Sequence, residues 1–150
     1  MIAFDEPELE RWRHQAQAAL DLPRSATESA PSWSCFLSEQ GAQLALRGLL
    51  HAVGEYTDAW GHDLGPLERR TSAVFGSDWP DGLAEPAMRL GRHYLPARYP
   101  DAHPTGAPED RYTAADARAA SDDAAAIVRA VDCVVERLRA ADAERNSTDG

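Results

Sequence analysis

The chain has 150 residues, a formal net charge of −10 and 15 basic side chains, every one an arginine. That length suits one domain with a genuine core, and the acidic balance argues against broad affinity for nucleic acid or membrane, because the long-range field repels phosphate. No run approaches the about 20 apolar residues of a membrane span, and the opening "MIAFDEPELERW" is acidic, without the basic-then-apolar order of a secretory signal, so a cytoplasmic protein is expected.

Alanine and leucine dominate and no two-residue alternation is evident, which predicts helices. The first is expected over about Pro7–Leu22, capped by Asp5 or Glu6, with Leu9, Trp12, Ala16 and Leu20 as its apolar stripe and Pro23 as its stop. After the polar "RSATESA", a second helix is expected from Pro31 to about Glu55. Its inward side is read as Trp33, Phe36, Leu37, Gln40, Leu44, Leu49, Leu50 and Val53, with Gly41 or Gly48 permitting close helix contact.

Asp63 and Pro66 mark the start of a third helix and Gly76 its end. "SDWPDG" reads as a bend, and a further short helix spans about Leu83–Leu95. Thr113 and Asp116 form a capping-box start for the last helix, expected to reach about Ala141, with the stripe Ala120, Ala124, Ile127, Val131, Val134, Val135 and Leu138. The expected fold is all-α: an up-and-down four-helix bundle with an additional short helix, one domain over residues 1–141 and a frayed tail over 142–150.

Phosphate-loop, H-E-x-x-H and C-x-x-C motifs are absent, so neither a metal nor a cofactor is expected. Cys35 and Cys133 have no metal-type spacing and are read as buried, reduced residues. Asp63 is read as a helix cap with His62 bonded to nearby backbone; His14 and His51 carry no motif, and His93 is read as solvated.

The stretch "RYPDAHP", residues 98–104, stands out in a segment with four prolines, since a loop of that kind is uncommon without a role. Pro100 and Pro104 restrict themselves and the residues before them, so Arg98 and His103 are aimed together only if the loop folds back. On a structural reading, Arg98 and Asp101 tie the loop to helix ends and Tyr99 packs inward. On a functional reading, Arg98 holds a phosphate and His103 transfers a proton. A bend at "SDWPDG" places Arg98 near Trp33, Phe36 and Gln40 and far from His62; a reversal there would bring Arg98 back to His62.

Three stretches, "SEQGAQLALRGLL" (38–50), "GHDLGPL" (61–67) and "LPARYPDA" (95–102), together resemble the HEPN domain family in order and spacing, and "RWRHQAQAALDL" (11–22) is similar to its first helix. The resemblance implies a helical bundle, often a homodimer, that binds a nucleotide or RNA phosphate and pairs with a partner such as a small nucleotidyltransferase. It makes Arg98, Tyr99, Asp101, Gln40 and His62 the candidate ligand-binding residues. It also implies an alternative, a metal-independent endoribonuclease toxin of a toxin–antitoxin pair. Arg98 and His103 are then the catalytic residues, with four residues between them, a spacing found in ribonuclease members. A purely structural dimer is the third reading. The binding module ranks first, because Pro104 separates His103 from the last helix and leaves its ring poorly fixed for catalysis.

Overall fold

The structure, a computed structural model, describes residues 3–56 and 61–148. Five helices carry it: α1 (Glu6–Ala26), α2 (Pro31–Ala52), α3 (Leu64–Phe75), α4 (Ala84–Gly91) and α5 (Ala114–Thr148), with no strand among the described residues. None of the described helices is long and apolar enough to cross a membrane.

α2 is the centre of the bundle. It packs along α1 on one side and α5 on another, and α3 and α4 close a third. Its buried residues therefore lie all round it, from Ser34 and Cys35 through Glu39, Ala42 and Gln43 to Leu46, Leu49 and Leu50. The stripe expected from periodicity is only partly the inward face: Leu49 and Leu50 are buried, whereas Phe36, Leu37, Gln40, Leu44 and Val53 are only partly buried and Trp33 is exposed. A helix covered on several sides has no single stripe to read.

Close packing of α1 on α2 rests on two glycines. A Cβ on Gly48 would collide with Cβ of Trp12, and a Cβ on Gly41 would collide with Cδ2 of Leu20. α1 starts where Asp5 accepts a hydrogen bond from the Glu8 amide at 2.9 Å. It does not stop at Pro23 but runs one turn further, because near a C-terminus the missing donor costs little. The Ser25 and Thr27 hydroxyls donate to the carbonyls of Leu22 and Pro23 there.

The chain reverses between α3 and α4. Asp63 caps α3 by accepting from the Gly65 amide, and Gly76 ends it with a positive φ of 53°. Trp79 then turns back beneath α3, where its indole donates to Glu68 at 2.9 Å with both side chains buried. α4 returns so that Gly91, its last residue, lies against Leu64, the first residue of α3. The segment is therefore a reversal and not the expected bend, and α4 is shorter than the expected Leu83–Leu95, giving way to turns after Gly91.

Thr113 and Asp116 make the reciprocal capping box at the start of α5: the Thr113 amide donates to Asp116 Oδ2 at 2.8 Å and the Asp116 amide to Thr113 Oγ1 at 3.2 Å. α5 continues past Ala141 to Thr148, where Arg145 pairs with Asp142 and the Ser147 and Thr148 hydroxyls donate to carbonyls of the last turn. Most of the tail expected to fray is thus helical, and its last two residues lie outside those described. Cys35 is buried, but Cys133 is exposed on α5, contrary to expectation, and both thiols are free.

The two glycine contacts predict an order of stability. Gly48→Ala is expected to cost about 1–3 kcal/mol, because the atom it meets is fixed to the α1 backbone. Gly41→Ala meets Cγ and a methyl of Leu20, a side chain that can shift more readily than Trp12 Cβ, and alanine's helix propensity returns up to about 1 kcal/mol, so it should cost less than Gly48→Ala. Urea unfolding ranks them; the opposite order would contradict this packing of α1 on α2.

Candidate functional site

One edge of α2 carries a polar ladder at four-residue spacing: Glu39, Gln43, Arg47 and His51. Such spacing keeps side chains on one helix face. Glu39 has no solvent exposure, and Gln43 is also buried. The Gln43 amide donates to Glu39 Oε1 and, at 2.8 Å, to the His62 carbonyl; the Gln40 amide donates to Glu39 Oε2 at 2.8 Å. Arg47 donates to the Gly61 carbonyl. The chain entering α3 is therefore tied to α2 at two successive carbonyls.

His62 is exposed, and its ring stacks on Tyr94 with centroids 4.8 Å apart and planes 11° from parallel. Tyr94 follows α4, so this contact exists because α4 returns along α3. The Arg98 guanidinium lies 4.2 Å from the Phe36 ring centroid, 4.6 Å from that of Tyr94 and 4.9 Å from that of Tyr99. Its Nε donates to the Tyr94 carbonyl at 2.8 Å. Among the described residues its two terminal nitrogens have no hydrogen-bond or ion-pair partner. Arg98 thus lies beside Phe36 but is not remote from His62: the Tyr94 ring touches both, because the reversal brings the end of α4 back to the start of α3.

Beside this cluster a cleft of about 600 Å³ is lined by His62, Met88, Arg92, Tyr94 and Leu95. The charges around it are arranged unlike those elsewhere. Arg11, Arg13, Arg70, Arg89, Arg118, Arg137, Arg139 and Arg145 all pair with carboxylates. Arg47, Arg69, Arg92 and Arg98 form no ion pair among the described residues: Arg92 lines the cleft, Arg69 lies beside Gly65, Arg47 bonds the Gly61 carbonyl and Arg98 lies against the Tyr94 ring. Arg24, Arg111 and Arg129 are the other arginines without an ion pair among the described residues. A chain with a strong negative balance thus keeps several arginines without ion pairs near this cleft, with Asp63 the carboxylate in its lining.

The loop does fold back, but not so as to join Arg98 and His103. Residues Pro100–Ala102 form a 3-10 turn, the His103 amide donates to the Pro100 carbonyl at 3.0 Å, and its Nε2 lies 2.7 Å from the Pro96 carbonyl. A carbonyl only accepts, so Nε2 carries the hydrogen. No hydrogen bond links His103 to Arg98 among the described residues. Tyr99 is 47% exposed instead of packed inward. Asp101 is also exposed and lines a second cleft, of about 420 Å³, with Leu95, Tyr99 and Ala102. Gln40 reaches the cluster only through Glu39. His93, read as solvated, is half-buried with Nδ1 3.0 Å from the Tyr112 hydroxyl, and burial lowers its pKa. No group of three or more metal-ligating side chains occurs among the described residues.

Glu39, Gln43, Tyr94 and Phe36 escaped the sequence reading as site residues. Phe36 and Tyr94 look like core on periodicity alone. The usable signal was E-x3-Q-x3-R inside an otherwise apolar helix, because buried polar residues at one spacing must bond to something.

Comparison with known proteins places this geometry among solved folds. The sequence profile of the HEPN domain matches residues 9–137. The crystal structure of TT1696 from Thermus thermophilus superposes with a TM-score of 0.74 at 34% identity, covering 84% of this chain and 97% of that one. ST0689, an archaeal HEPN homologue, superposes with a TM-score of 0.66 at 32% identity, covering 83% and 94%. No curated protein sequence matches the chain.

Burial pushes the Glu39 carboxyl up to about 7, against the opposing pull of the Gln43 and Gln40 amides and of Arg98 and Arg47. An unfolded glutamate titrates near about 4.3. The folded state therefore holds the proton more tightly, and the stability this confers is complete at acid pH and lost as pH rises through about 7. His51 and His93, lowered by burial, act in the opposite direction, so the comparison must be between two proteins. Relative to Glu39→Gln, the wild type is expected to lose melting temperature between about pH 5 and about pH 8. Parallel curves would show that Glu39 is not the titrating group.

Proposed function

The chain belongs to the HEPN domain family, and from that premise we propose that it is a binding module whose cleft takes a nucleotide or RNA phosphate on Arg98. One observation carries this reading. The Arg98 guanidinium is held in place by three aromatic rings and one backbone carbonyl, yet its terminal nitrogens are unpartnered among the described residues. A fixed, unpaired fork of N–H donors matches a phosphate oxygen pair. Arg47, Arg69 and Arg92, without ion pairs among the described residues, strengthen the local field for an anion, and the exposed Tyr99 ring offers stacking surface for a base.

Pairing with a small nucleotidyltransferase, or with a second copy of the chain, belongs to the same proposal and rests on the family likeness. Exposed Trp33, Met88, Leu95 and Tyr99, each about half accessible and near Arg98, support a protein partner on this face. The ribonuclease reading ranks second. It needs His103 as acid or base, and His103 instead donates to the Pro96 carbonyl and bonds nothing on Arg98.

Arg98→Ala is expected to weaken binding of a fluorescent nucleotide about tenfold or more, the scale of one charge-assisted hydrogen bond, without loss of helicity. His103→Ala should change affinity little while lowering melting temperature, because it frees the Pro96 carbonyl. Cleavage of RNA by the purified wild type, lost in His103→Ala with binding intact, would replace the binding module with the enzyme. Unchanged nucleotide affinity in Arg98→Ala would remove both.

A further inference from the structure

Glu39 is a buried titratable group that the proposed site leaves without a task. It has no solvent exposure and forms no ion pair among the described residues. Its two oxygens are covered separately: Oε1 accepts from the Gln43 amide, and Oε2 accepts from the Gln40 amide at 2.8 Å. That is the arrangement of an ionised carboxyl, which only accepts. An ionised carboxyl without a directly bonded cation is costly to bury, so a proton competes for it. The charges acting on it are Arg98, from the loop after α4, and Arg47, from its own helix; α1, α3, α4 and α5 contribute none. Tyr94 and His62, the other titratable groups at that end, stack on each other. Burial outweighs the arginines, and the carboxyl changes charge at about pH 7.

A protonated carboxyl donates one hydrogen, so one of the two amides has to present its oxygen instead. Gln43 is not free to do so. Its second hydrogen goes to the His62 carbonyl at 2.8 Å, and turning that amide over would oppose two oxygens there. Gln40 has no such tie. Its side chain is partly exposed, and its Oε1 is not buried and accepts no hydrogen bond among the described residues.

We infer that Gln40 carries the protonation state of Glu39 to the surface: a proton taken up on Oε2 turns the Gln40 amide over and replaces an outward acceptor with an outward donor. Glu39 Oε2–H then donates to Gln40 Oε1, and Gln40 Nε2 turns to the opening. The Gln43 bridge and the entrance to α3 stay as they are. Gln40 lies one helical turn from Phe36, whose ring the Arg98 guanidinium covers, so the inversion occurs beside the opening. A ligand or partner there meets an acceptor above the neutral range and a donor below it. By linkage, a bound group that prefers one polarity shifts the protonation of Glu39 in turn.

Nuclear magnetic resonance of the full, isotope-labelled chain between about pH 5 and about pH 9 tests this. The Glu39 carboxyl carbon and the Gln40 side-chain amide should titrate with one midpoint. Relative to a free amide at the same pH, Gln40 should be protected from solvent exchange above that midpoint and unprotected below it, while Gln43 stays protected throughout. Glu39→Gln fixes the acid arrangement, since its amide donates to Gln40 Oε1 and its oxygen accepts from Gln43. In that variant Gln40 should be unprotected, with unchanging shifts, at every pH. The wild-type titration decides the matter even where the variant folds poorly. Gln40 protection that persists at acid pH while the Glu39 carbon titrates overturns the inference. Loss of protection at Gln43 in place of Gln40 overturns it too, as does a Glu39 carbon that does not titrate over this range.

Discussion

The side-chain amide of Gln43 has two hydrogens, and it directs them to two elements: the buried carboxyl of Glu39 on its own helix and the carbonyl of His62 at the entrance to α3. The rest of the site depends on that bridge. It fixes where the chain enters α3, hence where the His62 ring lies, hence which face Tyr94 meets when α4 returns. Tyr94 in turn supplies both a ring and a carbonyl to Arg98. A buried polar group without a partner costs about 1–3 kcal/mol, so loosening residues 61 and 62 would leave one buried hydrogen of the Gln43 amide without its acceptor. That cost keeps an exposed histidine in register with a loop more than 30 residues away in sequence.

Burying a carboxyl at the centre of a helical bundle is unfavourable on its own. The compensation is local: two glutamine amides donate to it, and Arg47 and Arg98 lie near enough to draw its pKa back down, though burial still prevails. The network has an architectural consequence. α2 presents almost no free face, and its polar residues reach an opening where Phe36, Gln40, Gln43 and Arg47 meet the 61–62 segment and the loop after α4. The opening is therefore where arginines can remain unpaired while most of those elsewhere on the surface are neutralised by the abundant carboxylates.

Much of the fold was legible because helix ends announce themselves chemically. Asp5, Asp63 and the Thr113–Asp116 pair were readable as caps and all accept the expected amide hydrogens. Pro23 misled because a proline one turn from a helix end breaks little. The α2 stripe misled because periodicity reports the contrast between covered and open faces, and α2 is covered nearly all round. The reversal at 76–82 was illegible for a different reason. Its direction depends on the Trp79 ring finding Glu68 beneath α3, a contact between residues 11 apart that no local turn signal encodes. That reversal is the second condition, beside the Gln43 bridge, for the meeting of His62, Tyr94 and Arg98. Motif spacing placed Arg98 among the candidates, but could not show that His103 would turn to Pro96.

The central claim is that the Gln43 bridge holds His62 against Tyr94, and the ring-proton shifts of His62 test it most directly. In the wild type, stacking at 4.8 Å should move these protons upfield of their values in Tyr94→Leu. In Gln43→Leu, with the bundle still helical, the account predicts that the upfield displacement collapses toward the Tyr94→Leu values. A His62 ring that keeps its wild-type shifts in Gln43→Leu would contradict it.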